Sequence, residues 1–282
     1  MFVFALFLAC GPKKEQDSAK SLEAAEQQVV PQSELTEDQT GESHSAPDET
    51  KGIRSVELLG AIALSEEFEG VEDDLFFRMR RLVVEPEGVV AAHEHQSRPG
   101  IAYIVSGEIN EFREGVAVLR KSGDHSFEET GVTHWWENQS EAPVTAVVVD
   151  ILKVAEADGI EKLAPYQSSV EHVSEEKQGL SVQPIGSLDL SKEHPAFEGR
   201  MLRARRITVA PQGVVGFHKH DQRPSFAYLL EGEMSEYRDD TKEKIQHKAG
   251  SVAVERNGLG HWWKNNSEQP AVFLVVDLVS SE

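Results

Sequence analysis

Six of the eleven histidines fall into two copies of one pattern. His93-Glu94-His95 and His218-Lys219-His220 each set two imidazoles two residues apart, and His134 and His261 follow later in each copy. On a strand, residues i and i+2 point to the same face, so each pair converges on one side. With the third histidine arriving from a later strand, three neutral imidazoles meet inside an apolar barrel. Such a donor set suits a divalent transition metal (Fe, Mn, Ni, Cu or Zn), up to one per copy.

Other residues recur beside these histidines. Arg98-Pro99 and Arg223-Pro224 stand just after each His-x-His, where a guanidinium can grip a substrate carboxylate or pair with a nearby acid. Tyr103 and Tyr228, on the next strand, are candidates for substrate binding or for support of the site. All four tryptophans form the pairs Trp135-Trp136 and Trp262-Trp263. Neighbouring strand residues face opposite sides, so one of each pair reaches the pocket or both simply pack; Trp135 and Trp262 are the expected pocket members. His125, His172, His194 and His247 have no counterpart in the other copy and are expected at the surface, and His44 is expected in a linker.

The elements that must position these groups come in duplicate. Residues 78–107 align without a gap with 203–232, fifteen of thirty positions being identical. Residues 123–150 align with 250–277, thirteen of twenty-eight being identical. One domain has therefore been duplicated, at about 53–155 and 178–282, with a connector over 156–177 and a short helix expected around 155–163. Runs such as LFFRMRRLVV, IAYIVSG and TAVVVDIL are rich in β-branched and aromatic residues. Pro86-Glu87-Gly88 and Pro211-Gln212-Gly213 are turn signals at matching places. Many short strands without a long helical period predict an all-β sandwich or barrel. At three aligned positions the copies carry opposite charges, Glu94 against Lys219, Glu129 against Arg256 and Glu137 against Lys264. Under a pseudo-twofold arrangement these sets are expected to face one another.

These residues resemble the cupin family. Gly88, His93, His95 and Gly107 fit its first motif, as do Gly213, His218, His220 and Gly232. Gly123, Gly131, His134 and Asn138 fit the second, as do Gly250, Gly258, His261 and Asn265, with Glu129 and Arg256 standing at its proline. The resemblance implies a bicupin, two tandem jelly-roll (double-stranded β-helix) barrels behind a disordered N-terminal tail. It also implies a fourth ligand, a glutamate, at positions that here hold Gly100 and Ser225. Gln96 and Asp221 are the nearby substitutes, but one residue past the pair they should point away. What remains is similar to the three-histidine sites of this family's thiol and diketone dioxygenases, open to a bidentate anionic substrate and O2.

Composition bounds the function. Acidic residues outnumber basic ones 49 to 28, a net charge of −21, which excludes sequence-independent nucleic-acid binding and disfavours anionic membrane surfaces. The single cysteine, Cys10, excludes an internal disulfide framework and a cysteine-rich zinc site. Met1 to Ala9 form an apolar run that, followed by Cys10, resembles a bacterial lipoprotein leader with lipidation at Cys10. Residues 11–52 hold four Lys and ten acidic residues and no aromatic one, the composition of a disordered acidic linker. The expectation is an envelope protein, periplasmic or on the outer-membrane side and lipid-anchored, with a cytoplasmic location as the alternative. It touches the membrane only through that anchor, takes a small-molecule ligand and allows a homo-oligomer. Two functions stay open: a non-haem metal-dependent oxygenase or isomerase, or a metal- or ligand-binding module without turnover; the histidine pattern also fits a remnant inside a non-catalytic barrel, as in seed-storage-type bicupins.

Overall fold

The first barrel grows from one long strand. In the computed structural model, which describes residues 45–72, 74–153, 176–241 and 244–281, Leu75–Glu94 (β2) runs for 20 residues and pairs with three other strands. The remaining strands of this barrel are Lys51–Ala63 (β1), Gly100–Ser106 (β3), Glu108–Arg113 (β4), Val116–Lys121 (β5), His125–Glu128 (β6), Thr133–Glu137 (β7) and Val144–Lys153 (β8). They follow the order β5-β4-β7-β2-β8-β3-β6, with β1 alongside β2. The second barrel repeats that order with Gln178–Asp189 (β9), Arg200–Lys219 (β10), Ser225–Glu231 (β11), Glu233–Arg238 (β12), Lys244–Lys248 (β13), Val252–Glu255 (β14), Gly260–Lys264 (β15) and Ala271–Ser280 (β16). The fold is all-β, 66% strand, with two nearly closed jelly-roll barrels in tandem.

Two local expectations change. Pro86-Glu87-Gly88 was expected to end a strand, but it kinks β2 without breaking it. Glu87 takes φ 61°, and a Cβ on Gly88 would meet the Glu85 carbonyl at 2.7 Å, so this sharp bend requires glycine. The linker expected to reach residue 52 ends earlier. β1 starts at Lys51, the Pro47 carbonyl accepts from Ala92 N–H, and the Thr50 hydroxyl accepts from Ala91 N–H. Cys10, His44, His172, the leader, most of the linker and the connector with its expected helix lie outside the described residues.

Period-2 alternation explains how the barrels pack. In β8, Ala146 and Val148 point into the first barrel, whereas Val147, Val149 and Ile151 belong to an apolar cluster shared by both barrels. In β16, Phe273 and Val275 line the second barrel's interior, and Leu274, Val276 and Leu278 join the shared cluster. Both faces of these strands are buried, which is why they read as unbroken apolar runs. Phe77 meets Phe226 across the junction with ring centroids 4.8 Å apart.

The junction is reciprocal. A Cβ on Gly60 would lie 2.8 Å from Val254, and one on Gly186 would lie 2.7 Å from Phe127, the residue aligned with Val254. Glu67 accepts from Asn257 N–H at 2.8 Å, and Glu193 accepts from Thr130 N–H at 2.7 Å, Thr130 being aligned with Asn257. This pseudo-twofold relation has the form expected, but its polar contacts use other residues. Arg256 acts on Glu67 electrostatically, and Glu137 is engaged by Trp135 and Gln139 of its own barrel.

Candidate metal centre in each barrel

A register shift in β2 between Val90 and His93 sets His93 directly opposite His134 on β7, and the same shift in β10 sets His218 opposite His261 on β15. His95 and His220 follow just past the ends of their strands and are buried, each 2% exposed. The three Nε2 atoms of each barrel are thereby brought together. His95 and His134 Nε2 are 3.0 Å apart, and His134 and His93 Nε2 are 3.2 Å apart. In the second barrel His261 Nε2 lies 3.1 Å from both His220 and His218 Nε2.

The other ring nitrogens fix the tautomers. Nδ1 of His93, His95, His218 and His220 lies 2.8, 3.2, 2.9 and 3.1 Å from the carbonyls of Ala91, Arg98, Gly216 and Arg223. Nδ1 of His134 lies 2.9 Å from Glu111 Oε1, and that of His261 lies 2.7 Å from Glu236 Oε1. Carbonyls and carboxylates only accept, so every Nδ1 carries the proton and every Nε2 presents a lone pair. Three lone pairs about 3 Å apart repel one another unless a cation lies among them. The spacing is that of adjacent ligands about 2.1 Å from one ion. The residues therefore fit a metal, and His93, His95 and His134, or His218, His220 and His261, would hold it.

Burial enforces the neutral state these ligands need. It pushes His93 and His218 down to about 4, and His95 and His220 down to about 3, with neighbouring His and Arg charges adding to the effect. Behind His134, burial pushes Glu111 upward, but the His134 hydrogen bond and the Arg120 and Arg113 charges outweigh it and hold the carboxylate below its ordinary range. Glu236 is depressed in the same way, by His247, His261 and Arg238. His247 is thus not a surface residue: it is buried, with Nε2 2.8 Å from Glu236, at the position where the first barrel has Arg120. His125 and His194 are half-buried, His125 edge-on to Phe127 and His194 capping a short 3₁₀ turn.

Each site opens into a cavity of about 310 Å3. Arg98 and Arg223 line these cavities, and so do Arg80 and Arg205, which sequence reasoning did not single out. Arg80 and Arg205 each reach an invariant partner of the repeat, Asp150 or Asp277, at 3.0 and 2.7 Å. Nε of Arg80, Arg98 and Arg205 is buried without a hydrogen-bond partner. Ile53, Val56, Leu82 and Val90 supply an apolar wall in the first barrel.

Four expected pocket residues lie elsewhere. Trp136 and Trp263 line the cavities. Trp135 instead stacks on Phe112 at 5.0 Å, and Trp262 on Tyr237 at 4.0 Å, because the parity of β7 and β15 turns them to the opposite face. Tyr103 and Tyr228 alternate with the interior residues Ala102 and Ala227, so their rings enter the cluster between the barrels.

Among the described residues no carboxylate joins either three-histidine group, as expected. Positions 100 and 225 do lack it, but their register partners on the neighbouring strands are Glu128 and Glu255. Both line the cavities and are buried. Burial, reinforced by the Asp150 charge, pushes Glu128 up to about 8. Gln96 and Asp221 are exposed, as expected. Glu111 and Glu128 are each matched by a glutamate in the other copy, at 236 and 255, which is the signal by which sequence alone could have found them.

Residues 205–277, within the second barrel, match the family model described as Cupin domain. No curated protein matches the chain. Among solved structures, a Pseudomonas aeruginosa protein described as glyoxylate-induced superposes with a TM-score of 0.55 at 15% identity, covering 83% of each chain. The coconut allergen cocosin gives a TM-score of 0.54 at 14% identity, over 83% of this chain and 84% of its own. A cupin 2 conserved barrel domain protein from Leptotrichia buccalis gives 0.48 at 12% identity, over 80% and 99%. The likenesses to the first two concern the fold. The Cupin domain match lies in the second barrel, whose strand order and three-histidine pattern recur in the first.

Proposed function

We propose that each barrel binds one divalent transition metal and that the protein carries out oxygenase-type chemistry on a small anionic molecule. The observation that carries this reading is the set of three inward Nε2 lone pairs in each barrel, with every opposite nitrogen tied to an acceptor. A bound metal would supply Lewis-acid or redox chemistry at positions open to the cavity. The chain's own residues would do the rest. Glu111 and Glu236 hold one ligand histidine each in the binding tautomer. Arg80 with Arg98, or Arg205 with Arg223, would orient a carboxylate, and the apolar wall would exclude water from the substrate's body.

Metal analysis of the purified chain tests the first half: the wild type should hold one metal per barrel and His95→Ala one fewer. Equal metal in the two proteins would refute the site. Oxygen consumption by iron-loaded protein with thiols, diketones and phenolics tests the second half, and metal binding without turnover leaves the binding-module function. The envelope location belongs to the same proposal and rests on the composition of residues 1–52. Replacing Cys10 by Ser should move the protein from the membrane to the soluble fraction.

A further inference from the structure

The two copies differ at the one position that decides how a carboxylate meets the histidines. Residues 100 and 225 face the glutamates of the next strand, in the pairs Gly100 with Glu128 and Ser225 with Glu255. In the second barrel the Ser225 hydroxyl donates to Glu255 Oε2 and holds the carboxylate against the metal-facing nitrogens. Glu255 Oε2 is 3.5 Å from His220 Nε2, and Oε1 is 3.5 Å from His261 Nε2. The carboxylate oxygens and these two nitrogens all accept and neither nitrogen carries a proton, so Glu255 meets His220 and His261 as fellow ligands of one cation would.

The first barrel has no such anchor. A Cβ at Gly100 would lie 2.7 Å from the Val149 carbonyl and 3.0 Å from Glu128 Oε2, so neither a hydroxyl nor a carboxylate side chain fits there. Glu128 Oε2 has no hydrogen-bond partner, and it lies 3.4 Å from His95 Nδ1, on the side of the ring away from the metal-facing Nε2.

We infer that the second barrel holds its metal with four ligands, His218, His220, His261 and Glu255, the carboxylate coming from β14, whereas the first barrel holds its metal with His93, His95 and His134 alone. This rests on the metal-binding reading above. It makes the second site the tighter one and leaves the first with one more open position.

The test uses the full chain, stripped of metal and titrated with Co(II), whose visible absorption reports its ligands. His95→Ala isolates the second site and His220→Ala the first. The isolated second site should bind Co(II) at least about ten-fold more tightly than the isolated first, as expected when a well-placed ligand group is added. Glu255→Gln in the His95→Ala protein should remove that advantage and change the spectrum, and Ser225→Ala should weaken binding in the same direction while leaving the carboxylate in place. Glu128→Gln in the His220→Ala protein should leave affinity and spectrum unchanged. Unchanged Co(II) affinity in both Glu255→Gln and Ser225→Ala would overturn the assignment, as would an equal loss from Glu128→Gln and Glu255→Gln. If neither isolated site binds Co(II), the metal-binding reading itself fails.

Discussion

Replacing Glu111 by Gln separates what a carboxylate does behind a ligand histidine from what it does for the barrel. Glu111 is fully buried and accepts from His134 Nδ1 at 2.9 Å, Ser126 Oγ at 2.7 Å and Arg120 Nε at 2.8 Å, with Arg113 Nη2 at 3.3 Å. The Gln carbonyl can still accept from His134, so the ring keeps its tautomer. The charge is lost, and both arginines face a neutral amide. Breaking a fully buried ion pair costs about 3–5 kcal/mol. The side chains of Arg113 and Arg120 are 27% and 22% exposed, so water screens part of the loss, and about 2 kcal/mol is the expected cost. For a body of this size that lowers Tm by about 4–8 °C. At the metal, losing the anionic partner of His134 should weaken binding about 10- to 100-fold. Glu111→Ala removes the acceptor as well and should weaken it further. Thermal melting of the metal-free variant gives the first quantity. Co(II) titration in the His220→Ala background gives the second. Lower Tm with unchanged Co(II) affinity would show Glu111 to be an ion-pair hub that does nothing for His134, and the positioning argument would fail for Glu236 as well.

Three further outcomes follow from the junction and the kinked strand. Glu67, buried between the barrels, is raised from 4.5 to about 7 by burial, against the opposing Asn257 N–H bond and Arg256 charge and with the Glu66 charge adding to the rise. A raised acid stabilises the fold fully below its unfolded value and loses that contribution as pH climbs through the folded one. The Tm of the wild type should therefore fall relative to Glu67→Gln between about pH 5 and 8; a constant difference across that window excludes the effect. Phe226→Ala removes the ring facing Phe77 and Gly60, at a cost of about 3–5 kcal/mol, and calorimetry should show the two barrels melting less cooperatively. Gly88→Ala forces a methyl against the Glu85 carbonyl and should cost about 1–3 kcal/mol by denaturant unfolding.

What was legible in the sequence depended on whether position along the chain or position across strands carried the information. The duplication, the strands and the six histidines are properties of the chain itself, and the register of β2 with β7 and of β10 with β15 brings those histidines together. Which face a residue takes needs only the parity of its strand, but parity requires an origin. Trp135 and Trp136 differ by one position, and only the pairing of β7 with β2 and β4 shows that Trp136 faces inward. Tyr103 sits on the next strand after the His-x-His, yet alternation turns it toward the other barrel, because β3 is covered on both faces. The carboxylates were hidden for a related reason. Beside residues 100 and 225, where the acid was expected, strand pairing sets Glu128 and Glu255, some thirty residues later in the chain. At Gly100 a Cβ would lie 3.0 Å from Glu128 Oε2, so the glycine leaves the space in which the facing strand's glutamate sits. The proposed difference between the two sites then turns on a single hydroxyl, which Ser225 has and Gly100 lacks. Two copies that share every motif histidine can in this way differ in the chemistry of their sites.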